Sequence, residues 1–139
     1  MTPEEMACLH ARAFAGQGRA WQAAEFARLV DSPHVIVTGT AQSFALGRVA
    51  ADEAELVTIA TDPDLRRRGL ARAALEAMQT AAAKRGAGRI FLEVAFENHA
   101  ARAFYDALGY REVARRGGYY TMPDGTRQDA LVLKRHLGT

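Results

Sequence analysis

With one cysteine in 139 residues, the chain cannot close an intrachain disulfide. That fits a reducing compartment, and Cys8 on a helical segment is expected to pack rather than attack. Long apolar runs are missing, so no bilayer-spanning helix and no membrane partner are expected. Charge of one sign is missing too. Eighteen Lys and Arg against 16 Asp and Glu leave a formal net charge of +2. That is too mild for a nucleic-acid domain, and no basic face is interleaved with aromatics. The opening "MTPEEM" has neither a basic nor an apolar leader region, so a secretory signal is not expected and the cytoplasm is the expected compartment. His10, His34, His99 and His136 stand at no metal-ligand spacing, so no metal is expected. No Ser-His-Asp order, internal repeat or linker stands out.

What is present is the composition of a globular domain, 49% apolar and 24% charged. At this length, one domain covering 1–139 is expected. Thr2, Pro3 and Glu5 form a capping box, predicting a helix to about Phe14 that "GQG" (16–18) breaks. A second helix is expected from Trp21 to Val30. "VIVT" (35–38) and "QSFALGRVAAD" (42–52) read as a hairpin. "AELVTIAT" (54–61) is nearly continuously apolar and predicts a strand buried on both faces. Apolar residues then fall at helical spacing from Gly69 to about Arg85, and "GAG" stops the helix. "RIFLEVAF" (89–96) is a strand, Asn98 caps a helix over 99–108, and "YREVARR" and "QDALVLKR" are two last strands joined through "PDG". Strand, helix, strand over 54–96 predicts a parallel pair. The fold class is therefore α/β: a mixed, mostly antiparallel sheet with one parallel central pair and helices on both faces.

The most informative stretch is "TDPDLRRRGLARAAL" (61–75). Arg66, Arg67 and Arg68 crowd the start of a helix, where unpaired N–H groups and the positive end of the dipole already gather. An anion reverses that repulsion, and Gly69 lets it approach the backbone. The bland alternative is a solvated basic turn. The loop lacks both the Gly-Lys-Ser/Thr ending of a P-loop and the three glycines of a dinucleotide fingerprint.

Arg66-x-x-Gly69-x-Ala71 resembles the Q/R-x-x-G-x-G/A motif of the GNAT acetyltransferases. "VTIATDPDLRRRGLARAALE", "RIFLEVAFENHAARAFYDALGYREV" and "RRGGYYTMPDGTRQDALVLKR" resemble successive blocks of its RimI subfamily, the ribosomal-protein-alanine N-acetyltransferases, over about 54–135. The resemblance implies a GNAT fold and acetyl-coenzyme A as cosubstrate. It implies acetylation of a protein N-terminal α-amine, an alanine of a ribosomal protein. Acetylation of lysine or a small amine is the first alternative, and a non-catalytic coenzyme A-binding module the second.

The resemblance also assigns residues. Backbone N–H groups of Arg67, Arg68, Gly69, Leu70, Ala71 and Arg72 would hold the pyrophosphate. Arg66, Arg67 and Arg72 would add charge. Main-chain groups of Ile59, Ala60 and Thr61 would pair with the pantetheine arm, and Asn98 would both cap its helix and bond the cofactor. Ile90, Leu92, Val94 and Phe96 alternate on one strand face, leaving Phe91, Glu93 and Ala95 on the other. Glu93 reads either as an exposed carboxylate or as a base in apolar surroundings, and the resemblance makes it the general base, acting through water. Ala101, Phe104 and Leu108 are the expected core face of the next helix. Tyr105 lies beside that face, a structural tyrosine by itself and the cofactor-contacting general acid by resemblance. Trp21, Tyr119 and Tyr120 are expected to border the acceptor groove. Trp21 is equally readable as core.

Overall fold

The capping box closes as the spacing predicts: Glu5 N–H donates to Thr2 Oγ1 at 3.1 Å, and Thr2 N–H to Glu5 Oε1 at 2.8 Å. Helix α1 runs over Pro3–Ala13. The computed structural model describes residues 1–15 and 21–137, so the "GQG" expected to break α1 lies outside the described residues. Helix α2, Ala23–Val30, opens two residues later than Trp21 would place it, because Gln22 N–H is capped by Glu25 Oε1 at 3.0 Å. Cys8 is exposed rather than packed, because α1 buries Met6, Leu9, His10 and Ala13 on its other side.

Strands β1 (Val35–Thr40), β2 (Ser43–Ala50) and β3 (Glu53–Thr61) form an antiparallel meander. Helix α3 (Leu70–Lys84) crosses over to β4 (Arg89–Ala95). Helix α4 (His99–Ala107) precedes β5 (Arg111–Thr121) and β6 (Arg127–His136). The sheet order is β1-β2-β3-β4-β6-β5, with β3–β4 the parallel pair and the other neighbours antiparallel. The chain thus has the mixed sheet and helices that the order of elements predicts.

The core divides by face. One side buries Leu56, Leu75, Met78, Ile90, Leu92, Val94 and Leu131 with α3 and α4, and the other gathers Met6, Leu9, Phe26, Phe44 and Leu46 with α1 and α2. Burial of β3 on both faces holds for its second half only. Glu53 and Glu55 are exposed, whereas Val57 packs toward α1 and α2, and Ile59 toward α3. A bulge makes the change: Gly47 pairs with Leu56 but Leu46 with Thr58, so Val57 is an extra residue that re-aims the strand.

Beside that bulge the parallel pair comes apart. β3 and β4 are in register only for Glu53↔Arg89, Ala54↔Ile90 and Glu55↔Phe91. Beyond Glu55, the main-chain groups of β3 that face β4 have no strand partner. The result is a wedge-shaped gap in the middle of the sheet.

Candidate active site

The arginine-glycine turn stands at one mouth of the gap. A short 3-10 turn, Pro63–Leu65, brings the chain down from β3, and Gly69 caps α3 at φ +75°. Arg67 also takes a positive φ, +66°, a conformation that costs a side-chain-bearing residue and tends to collect at functional sites. A Cβ on Gly69 would meet no protein atom within 4 Å, so the glycine faces open space. The N–H groups over 67–72 have no partner among the described residues, as the first turn of a helix dictates.

The side chains divide differently from the expectation. Arg66 is turned back, its Nη2 donating to the Ala13 carbonyl at 3.2 Å. Arg72 is paired with Glu76 four residues on, at 2.9 Å. Only Arg67 and Arg68 of the turn project without a described partner. Arg67 and Arg68 thus have no described partner to leave, whereas Arg66 keeps its charge beside a neutral carbonyl and Arg72 shares its own with Glu76. The donor set fits a diphosphate: a run of free N–H groups, a helix dipole, two free guanidinium groups and no Cβ in the way. Among the described residues, no group of three or more His, Cys, Asp or Glu is placed to hold a metal.

Ile59, Ala60 and Thr61 line the open edge of β3. They pair with Ala45, Phe44 and Ser43 on the β2 side, and Thr61 Oγ1 lies 2.8 Å from Ser43 Oγ. The edge toward β4 is free from Leu56 onward, which is what an extended ligand arm needs to add itself as a strand. Across the gap, Asn98 Oδ1 accepts the Ala101 N–H at 3.2 Å and caps α4. Its side-chain NH₂ has no described partner and remains a donor.

Glu93 and Tyr105 approach from opposite faces. Ile90, Leu92 and Val94 are buried with α3 and α4, and Phe91, Glu93 and Ala95 take the other face, as alternation predicts. Phe96 does not follow. β4 ends at Ala95, and the Phe96 ring is exposed between the guanidinium groups of Arg102 and Arg115, 4.9 and 4.6 Å from its centroid.

The surroundings of Glu93 are not apolar. Arg116 of β5 places Nη1 3.3 Å from Glu93 Oε1, and the carboxylate side chain is 28% exposed. It stands on the wall of a cavity of about 450 Å³, lined also by Arg48, Glu55, Phe91, Arg116 and Val132. Arg48 pairs with Glu55 at 2.6 Å across the same cavity. Sequence reasoning missed Arg116. Its signal was the "RRGGYY" run, whose double glycine marks an irregular strand.

Tyr105 is buried rather than beside the core face. It and Leu108, the residue that caps α4, are buried at 7% and 8% exposure, while Ala101 and Phe104 are only half-buried. The ring belongs to the core cluster on the α3 and α4 side of the sheet. Its ring packs against Phe104 and Tyr110, at 5.2 and 5.6 Å between centroids. Burial, with a smaller contribution from Tyr120, pushes its phenol up to about 12. Tyr120 links the two faces. Its own phenol is raised by burial first and then by Glu93. Tyr119 is exposed, with Arg116 5.1 Å above its ring. Trp21 does not reach this cavity; it stacks on His10 at 5.0 Å within the α1–α2 cluster.

Comparison with known proteins gives the same answer from another direction. The model of the acetyltransferase (GNAT) family matches residues 5–110. The chain is 44% identical over 95 residues to the ribosomal protein bS18-alanine N-acetyltransferase of Escherichia coli, covering 68% of this chain and 64% of that protein. It therefore spans a little under two thirds of the curated relative. It is 34% identical to the N-alpha-acetyltransferase RimI of Mycobacterium tuberculosis, covering 94% of this chain and 84% of that one. The crystal structure of the ribosomal-protein-S18-alanine N-acetyltransferase from Escherichia coli superposes with a TM-score of 0.86 at 34% identity, covering 99% of this chain and 88% of that one.

Proposed function

The chain belongs to the GNAT acetyltransferase family, and we propose that it transfers the acetyl group of acetyl-coenzyme A to the free α-amine of a protein N-terminus, an alanine of a ribosomal protein. The cytoplasm, where such acceptors are made, is its compartment in this reading. The observation that carries it is the gap: β3 and β4 part after three pairs, and a free strand edge leads from the arginine-glycine turn to Glu93 and Tyr105. The acceptor named for the relative in Escherichia coli, and the name N-alpha-acetyltransferase of the relative in Mycobacterium tuberculosis, support the α-amine.

The cosubstrate supplies an activated thioester. The chain's residues bind and orient it and move protons. N–H groups over 67–72, with Arg67 and Arg68, hold the diphosphate. The free edge at 59–61 pairs with the arm, and Asn98 donates to it. A main-chain N–H at that edge polarises the acetyl carbonyl.

Glu93 accepts the proton of the acceptor through a water molecule in the cavity. One partly exposed carboxylate suffices for an α-amine of pKa about 7.7–8.0, of which about a third is neutral at pH 7.5, but not for a lysine of pKa about 10.4. Tyr105, held near 12, remains protonated and donates a hydrogen bond to the leaving sulfur. A phenol near 12 does not give up its proton to a thiolate of about 8.5, so Tyr105 stabilises the sulfur as it leaves as a hydrogen-bonded thiolate, which takes its proton from solvent.

The test is acetyl transfer to peptides varied at residue one, with free and blocked N-termini. Free peptides beginning with a small residue should react, and Glu93→Gln should depress kcat/KM. Equal rates for blocked, lysine-containing peptides would replace the α-amine with lysine. Tight coenzyme A binding without any transfer would leave a binding module.

A further inference from the structure

Strand β5 carries an irregularity that the proposed reaction has not yet used. Its pairing with β6 slips first at Val113, between Glu112↔Leu133 and Ala114↔Val132, which puts Arg116 on the face of Glu93, and slips again between Arg116↔Ala130 and Tyr120↔Gln128. Four residues advance on β5 while two advance on β6, so two residues are extra, in the segment "GGY" (117–119). An even insertion keeps the faces. Through the pairs Glu93↔Val132, Val132↔Ala114 and Ala95↔Ala130↔Arg116, residues 93, 116 and 120 all stand on one side of the sheet. The 117–119 bulge thus returns Tyr120 to the side of the sheet on which Arg116 already meets Glu93.

Such an insertion does not hold itself. Gly118 takes φ +58°, the conformation that a bulge of this kind demands. Its N–H donates to Asp129 Oδ1 at 2.9 Å. The other carboxylate oxygen lies 3.5 Å from Arg115 Nη1. The Asp129 carbonyl accepts the Phe96 N–H at 2.9 Å, where the chain leaves β4. One residue therefore fastens the bulge, the strand beside it and the exit of the Glu93 strand. Its side chain lies on the face opposite Glu93, by alternation from Ala130, so it does not itself touch the cavity.

We propose that Asp129 is a positioning residue: by accepting the Gly118 N–H it holds the bulge that returns Tyr120 to the side of Glu93 and Arg116, and so shapes the acceptor side of the site. The reading rests on the proposed acetyl transfer, but the fastening itself can be measured without it.

The experiment pairs two readouts on the full chain. The first is hydrogen exchange of the Gly118 amide in Asp129→Ala and Asp129→Asn. Losing a hydrogen bond to a charged acceptor should speed exchange about tenfold or more in the alanine variant, and the asparagine oxygen should restore most of the protection. The second is steady-state kinetics. The alanine variant should raise the acceptor-peptide KM about tenfold and leave the acetyl-coenzyme A KM in place, with asparagine close to wild type. A general loosening of the fold would move both KM values together. An unchanged Gly118 amide in the alanine variant, or both KM values unmoved or rising together, overturns the proposal. Should the wild type acetylate no α-amine at all, the proposed function fails, and the exchange readout alone decides the role of Asp129.

Discussion

Arg12 grips Asp62 with both guanidinium nitrogens, Nη1 to Oδ2 at 2.8 Å and Nη2 to Oδ1 at 3.0 Å. Nη2 also reaches Asp64 at 3.2 Å. The Asp64 N–H and Arg12, in that order, hold the Asp62 carboxyl below its ordinary value. With the Arg66 bond to Ala13, this ties the end of α1 to the turn that opens α3.

Breaking the grip should loosen the turn without unfolding the protein. Arg12 is half exposed, so the effect is screened. Arg12→Ala should weaken coenzyme A binding by about two- to fivefold, the range of a well-formed surface pair. Calorimetric titration measures it, and an affinity equal to wild type would separate α1 from the cofactor site.

Gly69→Val should act more strongly. A β-branched residue at φ +75° costs roughly 1–2 kcal/mol of stability, although its side chain meets no protein atom. The same side chain would stand where a diphosphate approaches the N–H groups. Coenzyme A affinity should fall at least about tenfold, or about 1.4 kcal/mol. A folded valine variant with undiminished affinity would place the diphosphate elsewhere.

Two tyrosines predict opposite outcomes. Tyr105→Phe keeps the ring packing and loses the donor, so kcat should fall about 10²-fold with little change in stability. Tyr110 donates to Gln79 Oε1 at 2.7 Å inside the core. Tyr110→Phe leaves that oxygen buried and unpaired, and should cost about 1–3 kcal/mol in urea unfolding while leaving turnover nearly intact. Interchanged results would interchange the roles.

Alkaline pH should destabilise the fold through Tyr105. Its phenol ionises near 12 when folded and near 10 when unfolded. Below pH 10 both states hold the proton and nothing is lost. Above it the unfolded state releases the proton first, so stability falls between pH 10 and 12, by roughly 3 kcal/mol for two units. Burial raises Tyr110 and Tyr120 in the same direction. Denaturation midpoints measured across this range should fall less steeply in Tyr105→Phe, and parallel curves would mean that the phenol is not desolvated.

Local rules made much of this legible in advance. The capping box at Thr2, the helical stripe from Gly69 and the alternation along β4 follow from the sequence because each depends on residues within a turn or two or one strand of each other, and the parallel pair follows from the order strand, helix, strand. The sequence also determined that Arg67, Arg68 and Gly69 would stand at a helix start, and that Glu93 would face away from Leu92 and Val94. Which arginines are free was a tertiary matter. Ala13 and Glu76 claim Arg66 and Arg72, and one of those partners is 53 residues away. The same holds for Tyr105, which the core cluster buries, and for Glu93, whose neighbour is an arginine two strands away in the sheet order. Periodicity reports the face on which a side chain stands. What meets it there is decided by strand order, bulges and the gap, which only the packed sheet brings into being.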